Sequence, residues 1–471
     1  MPILLLLCCL WSTSVFAQEA GEHPIRAQLH RLVANNPVFQ QGYSGFCLYD
    51  PEGEDFIYDF RGDQRFTPAS NVKLLTYYLT TQLLNRRVPA LWYESYDSRY
   101  ELWGTGYPSW EYLGIEQDSD GPTSPPWWHD MQPNLRFVTD NTDWACRADN
   151  PVTDWLRQQD QAVVLHLEEE MPARYGAGWS YDDWNDGYVY ERSSLPLFAN
   201  RLTVSVDSAG ELKVEPACLT DRVVLVNRPD GPRLLRRESE NVFSLDTSRQ
   251  IPPDYERSIA LRITPELIEE LLSEQIDQSV RIGDRSLPVG SPGLNLLRFP
   301  LPDTLFQVML QQSDNYLAEQ FLLLAASSRY GRPAVREILS YARDTLLEEL
   351  SEPAIQWVDG SGLSRYNQIS PRQLVRVLDL TRQAVGWERL LRLLPANGES
   401  GTLERRFVNG RAPYIWAKTG SLRNVMALSG ILQVRSGKYL LFSFLHNHTQ
   451  EGSATYYREM EKVFELLYET Y

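Results

Sequence analysis

Apolar residues recur along the chain with two periods, and the alternation between them outlines its elements. Ile25, Leu29 and Leu32 fall at helical spacing, where every third or fourth side chain shares a face. Residues 45–49 and 55–60 are short apolar or alternating runs on either side of Pro51-Glu52-Gly53-Glu54, the pattern of two strands and a turn. A helix follows from Pro68, carried by Leu75, Leu79 and Leu83. Residues 202–206, 212–214 and 223–226 read as strands, and 264–273 as a helix. Four helical segments come next, at 305–310, 317–326, 335–350 and 371–384. Strand patterns return at 415–418, 425–434 and 439–445, before a closing helix over 454–467. These elements predict an α/β protein, more narrowly α+β: an antiparallel sheet built from both chain ends, flanked by helices, with a large unit inserted after the first long helix.

The inserted unit differs in composition. Between Leu91 and Trp184 lie nine of the 13 tryptophans, with Pro125-Pro126 and many Asp, Gly and Tyr residues, which reads as irregular. Core packing is the first explanation of these rings and stacking on sugars the alternative. The division is a discontinuous domain of residues 18–92 plus 291–471, interrupted by accessory module(s) over 93–290. A chain of 471 residues has room for two to four domains. Its net charge of -17 argues against nucleic acid as a partner. The cations are also lopsided. Of 45 basic residues only five are lysines, Lys73, Lys213, Lys418, Lys438 and Lys462, so chemistry that needs an amine has few choices.

Residues 2–16 form an uncharged, leucine-rich run too short to span a bilayer, and Val15-Phe16-Ala17 precedes Gln18 with the small-residue spacing of a signal peptidase site. Residues 1–17 are therefore read as a signal peptide. Leu7 stands where a lipoprotein signal has a small residue before its cysteine. No second apolar run of about 18 residues follows, so no transmembrane span is expected after signal removal. Cys47 lies in a strand pattern and reads as a buried hydrophobe. Cys146 and Cys218 either pair in an oxidising compartment or remain thiols.

Three short motifs carry chemistry. Ser70-Asn71-Val72-Lys73 opens the first long helix, so Ser70 and Lys73 sit one turn apart on one face. A lysine made neutral by burial can take a serine proton, and a helix N-terminus favours a developing oxyanion. Ser313-Asp314-Asn315 falls in the polar break between two apolar helices, unlike a second copy, Ser239-Glu240-Asn241, which lacks such flanks. Lys418-Thr419-Gly420 ends a strand pattern, where glycine permits close approach of a ligand backbone.

Together the three resemble the S-x-x-K, S-x-N and K-T-G motifs of the serine penicillin-recognising enzymes. The long separation of the first two, the segment Asp359-Gly360-Ser361-Gly362-Leu363-Ser364-Arg365 and the run Gly401-Thr402-Leu403 resemble the class C low-molecular-mass penicillin-binding proteins. That resemblance implies a transpeptidase/β-lactamase-like catalytic domain. It implies a serine-type D-Ala-D-Ala carboxypeptidase, with endopeptidase action on D-alanyl cross-links, working on peptidoglycan stem peptides outside the cytoplasm and acylated by β-lactams. Ser70 is then the nucleophile, Lys73 the general base and Ser313 the proton relay. Asn315, Lys418, Thr419 and Ser421 bind substrate, and the Ser70 and Ser421 amides form the oxyanion hole. Lys418 is expected to depress the pKa of Lys73. No metal or organic cofactor is implied. The glycine-rich box reads as a turn beside the cleft, with no catalytic role for the Ser361 or Ser364 side chain, and His446-Asn447-His448 as a solvated loop. If the insert only shapes access, the motif residues assemble without it. The rivals are a β-lactamase, against which the lack of an E-x-x-L-N segment counts, and a catalytically silent wall-binding scaffold.

N-terminal sequencing of the exported protein is expected to begin at Gln18; recovery of Met1, or of lipid on Cys8 or Cys9, overturns the signal reading.

Overall fold

The computed structural model describes residues 24–108, 151–167, 174–207 and 209–471. The expected signal peptide, Cys146 and four of the nine tryptophans between Leu91 and Trp184, namely Trp110, Trp127, Trp128 and Trp144, lie outside them.

A five-stranded antiparallel sheet joins the two chain ends. Its order is Ile415–Leu422, Val425–Gln433, Tyr439–Asn447, Tyr43–Asp50 and Asp55–Phe60. Strand Tyr43–Asp50 is buried at six successive positions because it lies inside the sheet with both faces covered. On one face the terminal helices Pro24–Leu32 and Ser453–Thr470 pack Ile25, Leu29 and Phe464 against Phe46 and Phe444. On the other lies helix Pro371–Val385, whose entry is fixed by a capping box between Ser370 and Gln373. Behind it come Val72–Leu83 and the almost wholly buried Asn315–Tyr330. This helical layer places Ser70 beside the edge strand Ile415–Leu422.

Strands Arg87–Ser95 and Leu294–Pro300 pair antiparallel, Trp92 opposite Leu296, so the chain leaves and re-enters the helical layer at one place. They belong to a mixed sheet with Arg99–Gly104, Ala162–His166 and Val280–Gly283. Two three-stranded sheets lie between, and they contain the expected strands near 202–206, 212–214 and 223–226. The expected helix near 264–273 is Pro265–Ile276.

Sequence and structure differ in three places. Strands 87–95, 99–104 and 162–166 occur where the composition reads as irregular. Their inward positions include charges, Glu94 at 3% and Glu101 at 5% exposure, held by Arg285 and by Arg99 with His166. Polar residues on the buried side break the apolar alternation that marks a strand. The segment 335–350 is not one helix, since Val335–Tyr341 passes into a wider turn in which Leu347 N donates to Ala342 O.

The third difference is His446, which is a strand residue at 1% exposure, stacked on Phe39 and Phe444, with its Nδ1 2.8 Å from Ser44 Oγ. Only His448 extends beyond the strand into solvent. Cys47 is fully buried and Trp103 packs in the core against His166.

Burial pushes His446 down to about 3 from its ordinary value of 6.5. Its folded-state value lies below its unfolded one, so its contribution is complete above pH 6.5 and is lost as pH falls toward 3. By pH 4 the loss is about 3 kcal/mol. Melting temperatures measured from pH 7 to pH 4 are expected to fall less for His446→Phe than for the native protein; equal slopes contradict this account.

Candidate active site

Ser70 occupies a tight turn, Ala69–Asn71, that runs directly into helix Val72–Leu83. The turn is strained at Ala69, whose φ of 48° lies in the left-handed region that a side chain disfavours. One turn on, Lys73 is fully buried. Its Nζ donates to Ser70 Oγ at 3.0 Å, Asn315 Oδ1 at 2.6 Å and the Ser361 carbonyl at 2.7 Å. All three ammonium protons are thereby matched to acceptors.

Burial lowers the Lys73 pKa from 10.5 to about 8, against the opposing pull of Asp314, Asp359 and Glu319. The expected depression of Lys73 by Lys418 is therefore not the main cause. Lys418, also fully buried, is itself driven well below the ordinary amine value, first by burial and then by Lys73. Its Nζ donates to the Thr419 carbonyl at 2.9 Å.

The K-T-G strand is tied to the serine turn by Asn71, whose Nδ2 donates to Lys418 O at 3.0 Å. Gly420 lies so close that a Cβ there would stand 2.8 Å from Pro68 O and 3.1 Å from Ser70 N. The Thr419 hydroxyl donates to Thr402 Oγ1 at 2.8 Å, which brings the Gly401-Thr402-Leu403 run to the same edge. Ser421 is exposed. Ser313 is half-buried with φ 62° and makes no hydrogen bond to Ser70, Lys73 or Lys418 among the described residues. Asp314 caps helix Asn315–Tyr330 by accepting from Leu317 N at 2.7 Å, which aims Asn315 at Lys73.

The glycine-rich box closes the site from the remaining side. Buried Asp359 accepts from Gly362 N, Ser364 N and Asn367 Nδ2 at 2.9, 2.6 and 2.7 Å. The loop so folded presents the Ser361 carbonyl to Lys73. Ser364 Oγ is engaged elsewhere, donating to Ala177 O at 2.6 Å.

Sequence reasoning missed the residues that the insert supplies. Trp179 Nε1 donates to Asp359 Oδ2 at 2.8 Å, the Tyr188 carbonyl accepts from Asn315 Nδ2 at 2.8 Å, and Arg192 forms an ion pair with buried Glu319 at 2.9 Å. Gln320 Nε2 donates to the carbonyls of Ser193 and Gly106. The motif residues are therefore braced by the insert, whose removal would leave Glu319 buried without its cation. No local signal marks Trp179 or Arg192. Glu319 does have one: a carboxylate four residues after Asn315, just before the apolar run Phe321–Ala326.

Residues 251–465 match the D-Ala-D-Ala carboxypeptidase 3 (S13) family. The chain is 36% identical over 163 residues to carboxypeptidase DacB of Mycolicibacterium smegmatis, covering 32% of this chain and 34% of that protein. It is 31% identical over 151 residues to D-alanyl-D-alanine carboxypeptidase DacB of Haemophilus influenzae, covering 30% and 31%. It thus spans about a third of the length of the curated relatives it matches. Its fold is similar to that of penicillin binding protein 4 from Haemophilus influenzae, with TM-score 0.67, 18% identity, and 94% and 99% of the two chains covered.

Gly362 has φ 87°, and a Cβ there would stand 2.0 Å from Ala69 O; Gly437 has φ 90° and nothing near it. Gly362→Ala is expected to cost about 2–4 kcal/mol in chemical denaturation and Gly437→Ala about 1 kcal/mol. Equal costs would mean that backbone conformation, and not the close approach to the serine turn, requires the glycine.

Proposed function

We infer that this chain, whose residues 251–465 match the S13 family, is a low-molecular-mass penicillin-binding protein and acts as a serine-type D-Ala-D-Ala carboxypeptidase and endopeptidase of peptidoglycan. The observation that carries this reading is the buried Lys73 amine 3.0 Å from Ser70 Oγ. An amine with a pKa of about 8 is neutral in roughly a tenth of molecules at pH 7, enough to act as a base without being locked in its charged form.

Ser70 Oγ attacks the carbonyl of the penultimate D-alanine while Lys73 takes the hydroxyl proton. The terminal carboxylate docks beside Lys418 and favours the charged form of that amine. Two cations so near one another oppose each other, so docking also favours neutral Lys73. Ser70 N–H and Ser421 N–H face the oxyanion, a role supported by the closeness of strand residue Gly420 to Ser70 N. Ser313 passes the proton to the leaving amine, Asn315 bonds the substrate amide, and Thr419 and Ser421 hold the carboxylate. Water then attacks the Ser70 ester and frees the shortened peptide.

The enzyme works outside the cytoplasm after removal of residues 1–17, and among the described residues no helix is long and apolar enough to cross a membrane. A related structure of penicillin binding protein 4 from Haemophilus influenzae is described as a complex with a β-lactam, and β-lactams are read here as covalent inhibitors. Residues 93–290 are read as the inserted module of a discontinuous catalytic domain formed by 18–92 and 291–471.

The test is release of D-alanine from a pentapeptide together with slow turnover of a penicillin bound to Ser70. Lys73→Arg is expected to lower penicillin acylation more than about 1,000-fold, since a guanidinium keeps its proton. Near-normal acylation of that variant removes Lys73 as the base. Turnover of penicillin within seconds favours a β-lactamase, and no D-alanine release from folded protein favours a silent scaffold.

A further inference from the structure

Lys73 is held by two acceptors besides Ser70, and both depend on one helix. Asn315, at the start of helix Asn315–Tyr330, accepts from Lys73 directly. One turn on, on the same face, Glu319 Oε1 accepts from Ser361 N at 2.8 Å, and the Ser361 carbonyl is the other acceptor of Lys73. Glu319 is 3% exposed and its second oxygen faces Arg192, 7% exposed, at 2.9 Å. Arg192 lies over the Trp179 ring at 5.3 Å, and Trp179 itself bonds Asp359 at the other end of the box.

We propose that Glu319 and Arg192 are a buried positioning pair for the Lys73 amine: Glu319 fixes the Ser361 peptide whose carbonyl the amine bonds, and Arg192, from the inserted segment, fixes Glu319. This rests on the reading of Lys73 as the base. Replacing a buried ion pair by apolar groups often costs little stability, so stability alone does not explain a pair in this place. Its position does. The pair sets both the distance of an acceptor from Lys73 and the negative field that opposes loss of the Lys73 proton.

The charged groups around Lys73 are Asp314 ahead of the helix, Glu319 within it, Asp359 in the box and Lys418 on the edge strand. Burial and Asp359 raise the Glu319 carboxyl above its ordinary value, while Arg192 and the Ser361 amide pull it down. A guanidinium does not give up its proton, so the carboxylate beside it is the counter-charge at neutral pH.

Glu319→Gln keeps an acceptor for Ser361 N–H and removes the charge. Without that charge the Lys73 proton is held less tightly, so its titration moves to lower pH, by roughly 0.5–1 unit. With five lysines in the chain, Lys73 can be followed by NMR of 13C-labelled lysine, independently of activity. The rising limb of penicillin acylation against pH is expected to move by the same amount. Glu319→Ala, which also frees the Ser361 peptide, is expected to lower the plateau rate roughly tenfold beyond Glu319→Gln. Because Glu319→Gln leaves Arg192 uncompensated, the double variant Arg192→Met/Glu319→Gln is measured beside it and is expected to fold and show the same direction of shift. An unmoved Lys73 titration in either folded variant overturns the proposal, as does Glu319→Ala with the native plateau. A shifted titration in a protein that no penicillin acylates upholds the pair and sinks the catalytic reading instead.

Discussion

One buried ammonium sets the geometry of the candidate active site. Lys73 has lost its water, and a cation in that position persists only if its protons find oxygen. The three oxygens come from its own helix, from Asn315 on a second helix and from the carbonyl of Ser361 in a loop. Asn315 and Ser361 lie 242 and 288 residues from Lys73 in the chain, and each must arrive within hydrogen-bond distance of one nitrogen. The close approach of Gly362 and Gly420 to the serine turn follows from that convergence. So does the local balance of charge. Two amines and the Arg192 guanidinium meet the three carboxylates of Asp314, Glu319 and Asp359, which makes so many ionisable groups tolerable in one place.

The part of the site that could be read from sequence is the part made by local spacing. Ser70 and Lys73 share a helical face because they are three residues apart, and Asp314 announces a helix start that orients Asn315. The glycine-rich box reads correctly as a turn, although its contribution is a main-chain carbonyl that no residue type advertises. What escapes sequence is non-local satisfaction of buried polarity. Arg192 finds Glu319, and Trp179 finds Asp359, across 127 and 180 residues of chain. The same cause hid strands 87–95 and 99–104, whose inward glutamates need partners from distant segments. His446 errs the other way: its polar neighbours in sequence suggest solvent, whereas the aromatic faces that bury it are supplied by Phe39 and Phe444.

The segment of residues 93–290 therefore has two relations to the rest of the fold. Strands 87–95 and 294–300 seal its entry and exit as a paired ribbon. Residues 174–194, deep within its sequence, return to form one wall of the centre. A segment with such contacts does more than border the site: it braces the loop and the helix that hold Lys73.

The pairing of Tyr43–Asp50 with Tyr439–Asn447 has a consequence for synthesis. The strand that begins the sheet waits for a partner made almost four hundred residues later, and the K-T-G strand reaches the serine turn through that partner's neighbour. A chain still emerging from the ribosome already carries Ser70 and Lys73 but has no edge strand to set beside them. Long-range closure of this kind is slow. On the proposed reading, the nucleophile near the front of the chain therefore waits for the last strands before its site is complete.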